Sequence, residues 1–261
     1  MIESRWTTAG GLRMHARVST NPPASDEDLA VVLVHGLVVS SLYHLPTAER
    51  LAPFYRILAP DLPGFGRSEK PARALDVGGL ADALEMWMEA NGLGRVVLVG
   101  NSLGCQVVAN LAARGRHDVA GVVLSGPTVD AAGRNVPEQL KRLMIDFTRE
   151  RFSLLFVQLR SLLQAGLSRA WRTAMYALED RIEEQLPHVS SPALVVRGSL
   201  DPLAPQGWAE RVARTLPRGR LVVVPGAPHA LNYSTPDEFA LVVREFIGRE
   251  VSDGGAFGRA S

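Results

Sequence analysis

Three residue types able to run nucleophilic catalysis stand at the ends of apolar runs: Ser102 after Val96 to Val99, Asp201 after Leu194 to Val196, and His229 after Val222 to Val224. A serine hydroxyl is a weak nucleophile at neutral pH and needs a base, and the base needs a carboxylate to hold its tautomer. Ser102 lies in Gly100-Asn101-Ser102-Leu103-Gly104, a G-x-S-x-G pentapeptide between an apolar strand and a helical pattern. That context suits a nucleophile elbow, in which small residues on either side leave room for a strained turn. The order serine, acid, histidine matches the order this architecture uses.

Asp130 follows an earlier apolar run and is the competing acid, but Asp201 is preferred. The other histidines lack the strand-end setting, apart from His35 before Gly36, which is expected to brace its loop rather than act as a base. An oxyanion needs two backbone donors. The Leu37 N–H, after the run Val31 to Val34, and the Leu103 N–H, directly after the nucleophile, are assigned to it. Cys105 is expected to face inward as a packing group.

Strand ends can converge only if the strands share one edge of a parallel sheet. Short unbroken apolar runs at Leu29 to Val34, Arg56 to Ala59, Val96 to Val99, Val119 to Leu124, Ala193 to Val196 and Leu221 to Val224 suit strands covered on both faces. Segments with helical spacing separate most of them, at Val77 to Ala90, Ser102 to Arg114, Trp208 to Thr215 and Asp237 to Phe246. The alternation implies an α/β fold with βαβ crossovers. Upstream, Ser4 to Thr8 and Leu12 to Val18 read as a hairpin around Gly10-Gly11, and Ser19 to Asp28 reads as a loop.

From about Arg134 to His188 the alternation lapses, and Gln139 to Arg149, Phe152 to Ala165 and Ala170 to Leu186 read as successive helices. The organisation expected is a core of residues 1–133 and 189–251, a helical lid at 134–188, and a glycine-rich flexible tail at 252–261. Apolar residues at helical intervals, Leu140, Leu143, Met144 and Phe147, then Phe152, Leu155, Phe156 and Leu159, then Trp171, Met175 and Leu178, are expected to be mostly lid core. Val38, Phe147, Phe156 and Leu203 are the residues expected around a substrate. Arg142, Arg149, Arg151, Arg160, Arg169 and Arg172 are read as a solvated face, with one of them available to a substrate carboxylate.

The 261 residues carry 28 Lys and Arg against 27 Asp and Glu, a balance that gives no reason to expect nucleic acid or an anionic membrane as partner. A small molecule with an apolar portion is expected, bound by a monomer or homodimer without metal or cofactor. The single cysteine allows no internal disulfide, and with no apolar leader or spanning run a cytoplasmic setting is expected.

Together, the His35-Gly36 loop, Asp61-Leu62-Pro63-Gly64-Phe65-Gly66-Arg67-Ser68, the Ser102 elbow, Asp201 and His229 resemble the α/β-hydrolase superfamily over nearly the whole chain. The resemblance implies a mostly parallel eight-stranded sheet flanked by helices, and an ordering role for the Asp61 to Ser68 loop. It implies a serine hydrolase acting on a carboxylic ester, lactone or thioester through an acyl-enzyme. Gly100-Asn101-Ser102 also resembles meta-cleavage-product hydrolases, which split carbon–carbon bonds. The chain departs from those at Leu37-Val38-Val39, Cys105 and Ala230. A non-hydrolytic ligand receptor on the same scaffold is the reading from a different class.

Overall fold

Alternating side chains on a strand point to opposite faces, so a run such as Leu29 to Val34 that is apolar throughout must be covered on both sides. In the computed structural model, which describes residues 1–20 and 29–252, that run is β3 (Leu29–Val34), and all six of its residues are buried. The hairpin is β1 (Ile2–Ala9) and β2 (Leu12–Ser19), turning through Gly10 and Gly11, both at positive φ. β4 (Arg56–Pro60), β5 (Arg95–Asn101), β6 (Val119–Ser125), β7 (Ala193–Gly198) and β8 (Gly219–Val224) complete one eight-stranded sheet. Its order is β1-β2-β4-β3-β5-β6-β7-β8. The pairs β1–β2 and β2–β4 are antiparallel and the rest parallel. The expected loop lies, beyond Thr20, outside the described residues, as does the expected tail beyond Ser252.

Two cores follow from the alternation. Val32, Val34, Leu98, Leu124 and Val195 pack under α2 (Val77–Ala90), α3 (Leu103–Ala113) and α8 (Gln206–Thr215). Val31, Leu33, Val97, Val99, Val123 and Leu194 pack on the other face against α1 (Leu45–Leu51) and α10 (Pro236–Phe246). Helix α1 escaped the sequence reading because its seven residues, Leu-Pro-Thr-Ala-Glu-Arg-Leu, are too few to establish a period.

Between β6 and β7 the chain forms α4 (Val136–Phe147), α5 (Phe152–Ala165), α6 (Leu167–Glu179) and α7 (Ile182–Gln185). Gly166, at φ +85°, separates α5 from α6. The expectation that this insertion's apolar residues are mostly core is corrected here. Leu140, Leu143, Met144, Phe147, Phe152, Phe156, Leu159 and Trp171 are all exposed, because among the described residues no further element covers these helix faces. No helix among the described residues is long and apolar enough to cross a membrane.

Backbone approaches backbone closely where α3 starts. A Cβ on Gly104 would sit 2.2 Å from the Val34 carbonyl oxygen, and one on Gly100 would sit 2.5 Å from the Gly104 oxygen. Both obstacles are backbone, so neither strand nor helix can yield cheaply. Gly104→Ala is therefore expected to cost about 1–3 kcal/mol or more in urea unfolding. Gly207→Ala, on exposed α8 with nothing within 4 Å of the added carbon, is expected to stabilise by up to about 1 kcal/mol. Equal effects of the two would contradict the close packing of α3 on β3.

Candidate active site

Ser102 leaves β5 at φ +55° and ψ −122° and is the N-cap of α3. An L-residue holds this conformation only where its surroundings over-determine it, and the Gly100–Gly104 contact does so. Ser102 N–H donates to the Ser125 carbonyl at 3.0 Å, which fixes the turn from the β6 side. Leu103 opens the helix, so its N–H has no preceding turn to donate to. Gly36 comes close from β3, where a Cβ would meet the Ser102 Cβ at 3.0 Å. Val38, at φ +57°, is a β-branched residue in left-handed backbone, an outlier of the kind that clusters at functional loops.

Asp201 is buried and fully engaged. Its Oδ1 accepts the Leu203 and Ala204 N–H groups at 2.8 and 3.0 Å, and its Oδ2 faces His229 Nδ1 at 2.8 Å. Arg197 clamps the same turn through the Ala204 and Asp201 carbonyls at 2.6 and 3.0 Å. With the Nδ1 proton directed at the carboxylate, Nε2 is the nitrogen left free to face Ser102. Ser102, His229, Leu37 and Leu103 all line one cavity of about 700 Å³.

Asp130 is excluded from that group by its own partners. It caps Ala132 N–H at 3.1 Å and pairs with Arg142 Nη1 at 3.0 Å. His35 is buried and takes the Leu62 N–H on Nε2 at 2.9 Å while Nδ1 lies 2.8 Å from the Gly36 carbonyl, so it ties the two loops together as expected. Asp61 likewise orders its loop, accepting from Ser41 and Arg67 N–H at 2.6 and 2.8 Å and meeting His15 Nδ1 at 2.8 Å. Cys105 is buried, its Sγ 3.3 Å from both the Gly100 and Ser125 carbonyls. Asn101 spans the elbow and the histidine loop, bonded to Tyr43 Oη at 3.1 Å and to the Ser125 and His229 carbonyls at 3.2 and 3.4 Å.

Of the expected substrate residues, Val38, Phe147 and Leu203 line the cavity. Phe156 does not, and this is a correction. It is 62% exposed and packs edge-on against Phe152 with ring centroids 5.5 Å apart. Leu155 and Leu159, one position before it and three after, take the wall instead, since the helix turns its other face to the cavity. Among the six arginines Arg151 reaches the cavity wall, whereas Arg149 bonds the Leu200 carbonyl and Arg169 the Pro71 carbonyl.

Two acids in the insertion went unnoticed in the sequence. Asp146, at the end of α4, accepts the His229 N–H on Oδ1 at 3.2 Å, and Glu150 accepts the Ala230 N–H at 2.6 Å and the Ser234 hydroxyl at 2.5 Å. Their four-residue spacing was the available signal, but it reads as an ordinary solvated helix face until the fold brings the histidine loop against it. Burial, then the neighbouring Asp146 charge, pushes the Glu150 carboxyl up to about 7. Burial alone would lower the His229 imidazole; Asp201, by its charge and hydrogen bond, and then Asp146 and Glu150 outweigh it and raise the group to about 9.

A model of the family described as "Alpha/beta hydrolase family" matches residues 31–241. A putative non-heme chloroperoxidase of Synechocystis sp. is 24% identical over 250 residues, 83% of this chain and 90% of that protein. A pimeloyl-[acyl-carrier protein] methyl ester esterase of Photorhabdus laumondii is 29% identical over 250 residues, 86% of this chain and 94% of that one. Among solved structures, a thermophilic esterase from Thermogutta terrifontis superposes with a TM-score of 0.77 at 24% identity, covering 95% of this chain and 99% of that one.

The charge around His229 has a measurable consequence. Glu150→Gln keeps an acceptor for Ala230 N–H but deletes a negative charge that favours the imidazolium, so the His229 titration is expected to move to lower pH from about 9. NMR titration of the imidazole checks this. An unmoved or upward-shifted midpoint would remove Glu150 from the electrostatics of the site.

Proposed function

The chain belongs to the alpha/beta hydrolase family, and from that premise we propose that it hydrolyses carboxylic esters with an apolar acyl portion through an acyl-enzyme on Ser102. The observation that carries the reading is the Asp201 Oδ2 to His229 Nδ1 contact at 2.8 Å, with His229 and the strained Ser102 opening on one cavity. In its neutral form, which predominates above about pH 9, His229 takes the Ser102 hydroxyl proton on Nε2 as Oγ attacks the acyl carbon. The Leu37 and Leu103 N–H groups receive the oxyanion, and the N-terminal end of α3 favours its charge. The imidazolium then protonates the leaving alcohol, and Asp201 stabilises it through Nδ1. Water, deprotonated by the same nitrogen, attacks the acyl-enzyme and returns the serine.

Mostly apolar walls, with Leu140, Leu143, Leu155, Leu162, Met175 and Leu178 among them, support an acyl chain as the bound portion. The insertion supplies most of that wall and acts as a lid over residues 134–188. Buried Asp146 and half-buried Glu150 next to His229 oppose a substrate with its own carboxylate there, which favours esters over the diketone acids of carbon–carbon hydrolases. The names of relatives in this family, esterase among them, are in keeping with the reading.

Ser102→Ala is expected to lower turnover of p-nitrophenyl esters by at least about a thousandfold with the fold intact. Asp201→Asn should cost a comparable factor, and Asp130→Asn little, because Asp130 is committed to Arg142. Parent-level turnover by folded Ser102→Ala protein would end the proposal. Against acyl length, kcat/KM is expected to climb about fourfold per methylene, the worth of about 0.8 kcal/mol of burial, until the cavity fills. A flat series would place the acyl chain elsewhere.

A further inference from the structure

Contiguous exposed apolar surface beyond a few hundred Å² marks a binding surface in a water-soluble protein. Leu140, Leu143, Phe147, Phe152, Leu159 and Trp171 are 48–74% exposed and also line the cavity, so the cavity opens to solvent through an apolar rim. Beyond the cavity wall, Phe156, Leu163 and Leu167, 62%, 76% and 75% exposed, carry that surface along α5 to the start of α6. Among the described residues no other element covers it, and removing it from water would be strongly favourable.

Charge on the same segment is one-sided. Between Val136 and Glu179, Lys141, Arg149, Arg151, Arg160 and Arg172 are exposed, and Glu179 is the one exposed acid. Glu138 is engaged by Arg142, and Asp146 and Glu150 by the histidine loop. Arg160 lies four residues after Phe156 and three before Leu163, which makes it a helix-surface neighbour of both. Apolar side chains interleaved with cations form the pattern that seats a helix in a lipid headgroup layer. A two-fold self-contact would instead face this cationic surface with its own copy.

We propose that the α4–α6 face docks on an anionic lipid surface, with Phe156, Leu163 and Leu167 entering the headgroup boundary, the arginines meeting phosphates, and the cavity mouth facing the lipid. The attachment is peripheral. The chain's overall charge of +1 gave no reason to expect it, because that sum averages a cationic face with a slightly acidic remainder. The docking concerns binding alone and stands apart from the ester-hydrolysis reading.

The test uses folded Ser102→Ala protein with phosphatidylcholine vesicles, plain or containing about one-third phosphatidylglycerol. Co-sedimentation is expected with the anionic vesicles, together with a blue shift of Trp171 emission that Trp171→Phe abolishes, and binding weakens as salt rises. Phe156→Ser with Leu163→Ser is expected to lower partitioning by about tenfold per side chain. In the protein retaining Ser102, that pair should leave turnover of a soluble short ester unchanged. Arg160→Gln is expected to weaken binding to anionic vesicles about fivefold. Failure to bind either vesicle, or equal binding to both, overturns the proposal. So does a concentration-dependent dimer in sedimentation velocity that Phe156→Ser with Leu163→Ser abolishes, which would assign the face to a second copy. Each of these failures leaves ester hydrolysis on Ser102 untouched.

Discussion

Everything at the site depends on how closely α3 can approach the carboxyl ends of β3 and β5. With Gly100 and Gly104 in place, backbone meets backbone at distances no side chain would tolerate, and the turn between them has nowhere to relax. Ser102 stays in left-handed backbone because the packing around it costs more to disrupt than the strain costs to keep. The same approach brings Gly36 against the Ser102 Cβ, so the loop after β3 is positioned by the elbow it serves.

On the other side of the cavity, polar bonding does this work. The Asp201 carboxylate has one oxygen tied to two backbone N–H groups and the other to His229. Its orientation is set before any substrate arrives, and the ring inherits it. The backbone of the histidine loop is held separately, by Asp146 and Glu150 from the insertion. A helical insertion that both lines the cavity and holds the histidine loop couples cavity shape to the position of His229, since displacing Asp146 and Glu150 would remove acceptors from the His229 and Ala230 N–H groups.

The sequence made the core legible because parallel strands buried on both faces leave unbroken apolar runs, and because Gly100, Gly104 and the strand-end positions of Ser102, Asp201 and His229 are local signals. The insertion was legible as helices but not as an environment. Periodicity tells that Phe152, Leu155, Phe156 and Leu159 share a helix. It does not tell which neighbour that helix meets, so the spacing points to Phe156 where the structure has Leu155 and Leu159 at the cavity wall. Asp146 and Glu150 were invisible for the same reason: their partners lie 80 to 84 residues away, and only tertiary contact turns a solvated pair into a buried one.

Charge summed over a chain is similarly blind to place. Acids in the core domain sit beside arginines of their own, as in Asp82 and Glu85 with Arg114 or Asp237 with Arg50. In the insertion Glu138 meets Arg142, and Asp146 and Glu150 meet the histidine loop, while Lys141, Arg149, Arg151, Arg160 and Arg172 are exposed. The backbone N–H groups that Asp146 and Glu150 accept offset part of their charge. The two acids that raise His229 and part of the cationic outer surface share one stretch: α4 and its connection to α5 turn Asp146 and Glu150 to the histidine loop and leave Lys141, Arg149 and Arg151 exposed.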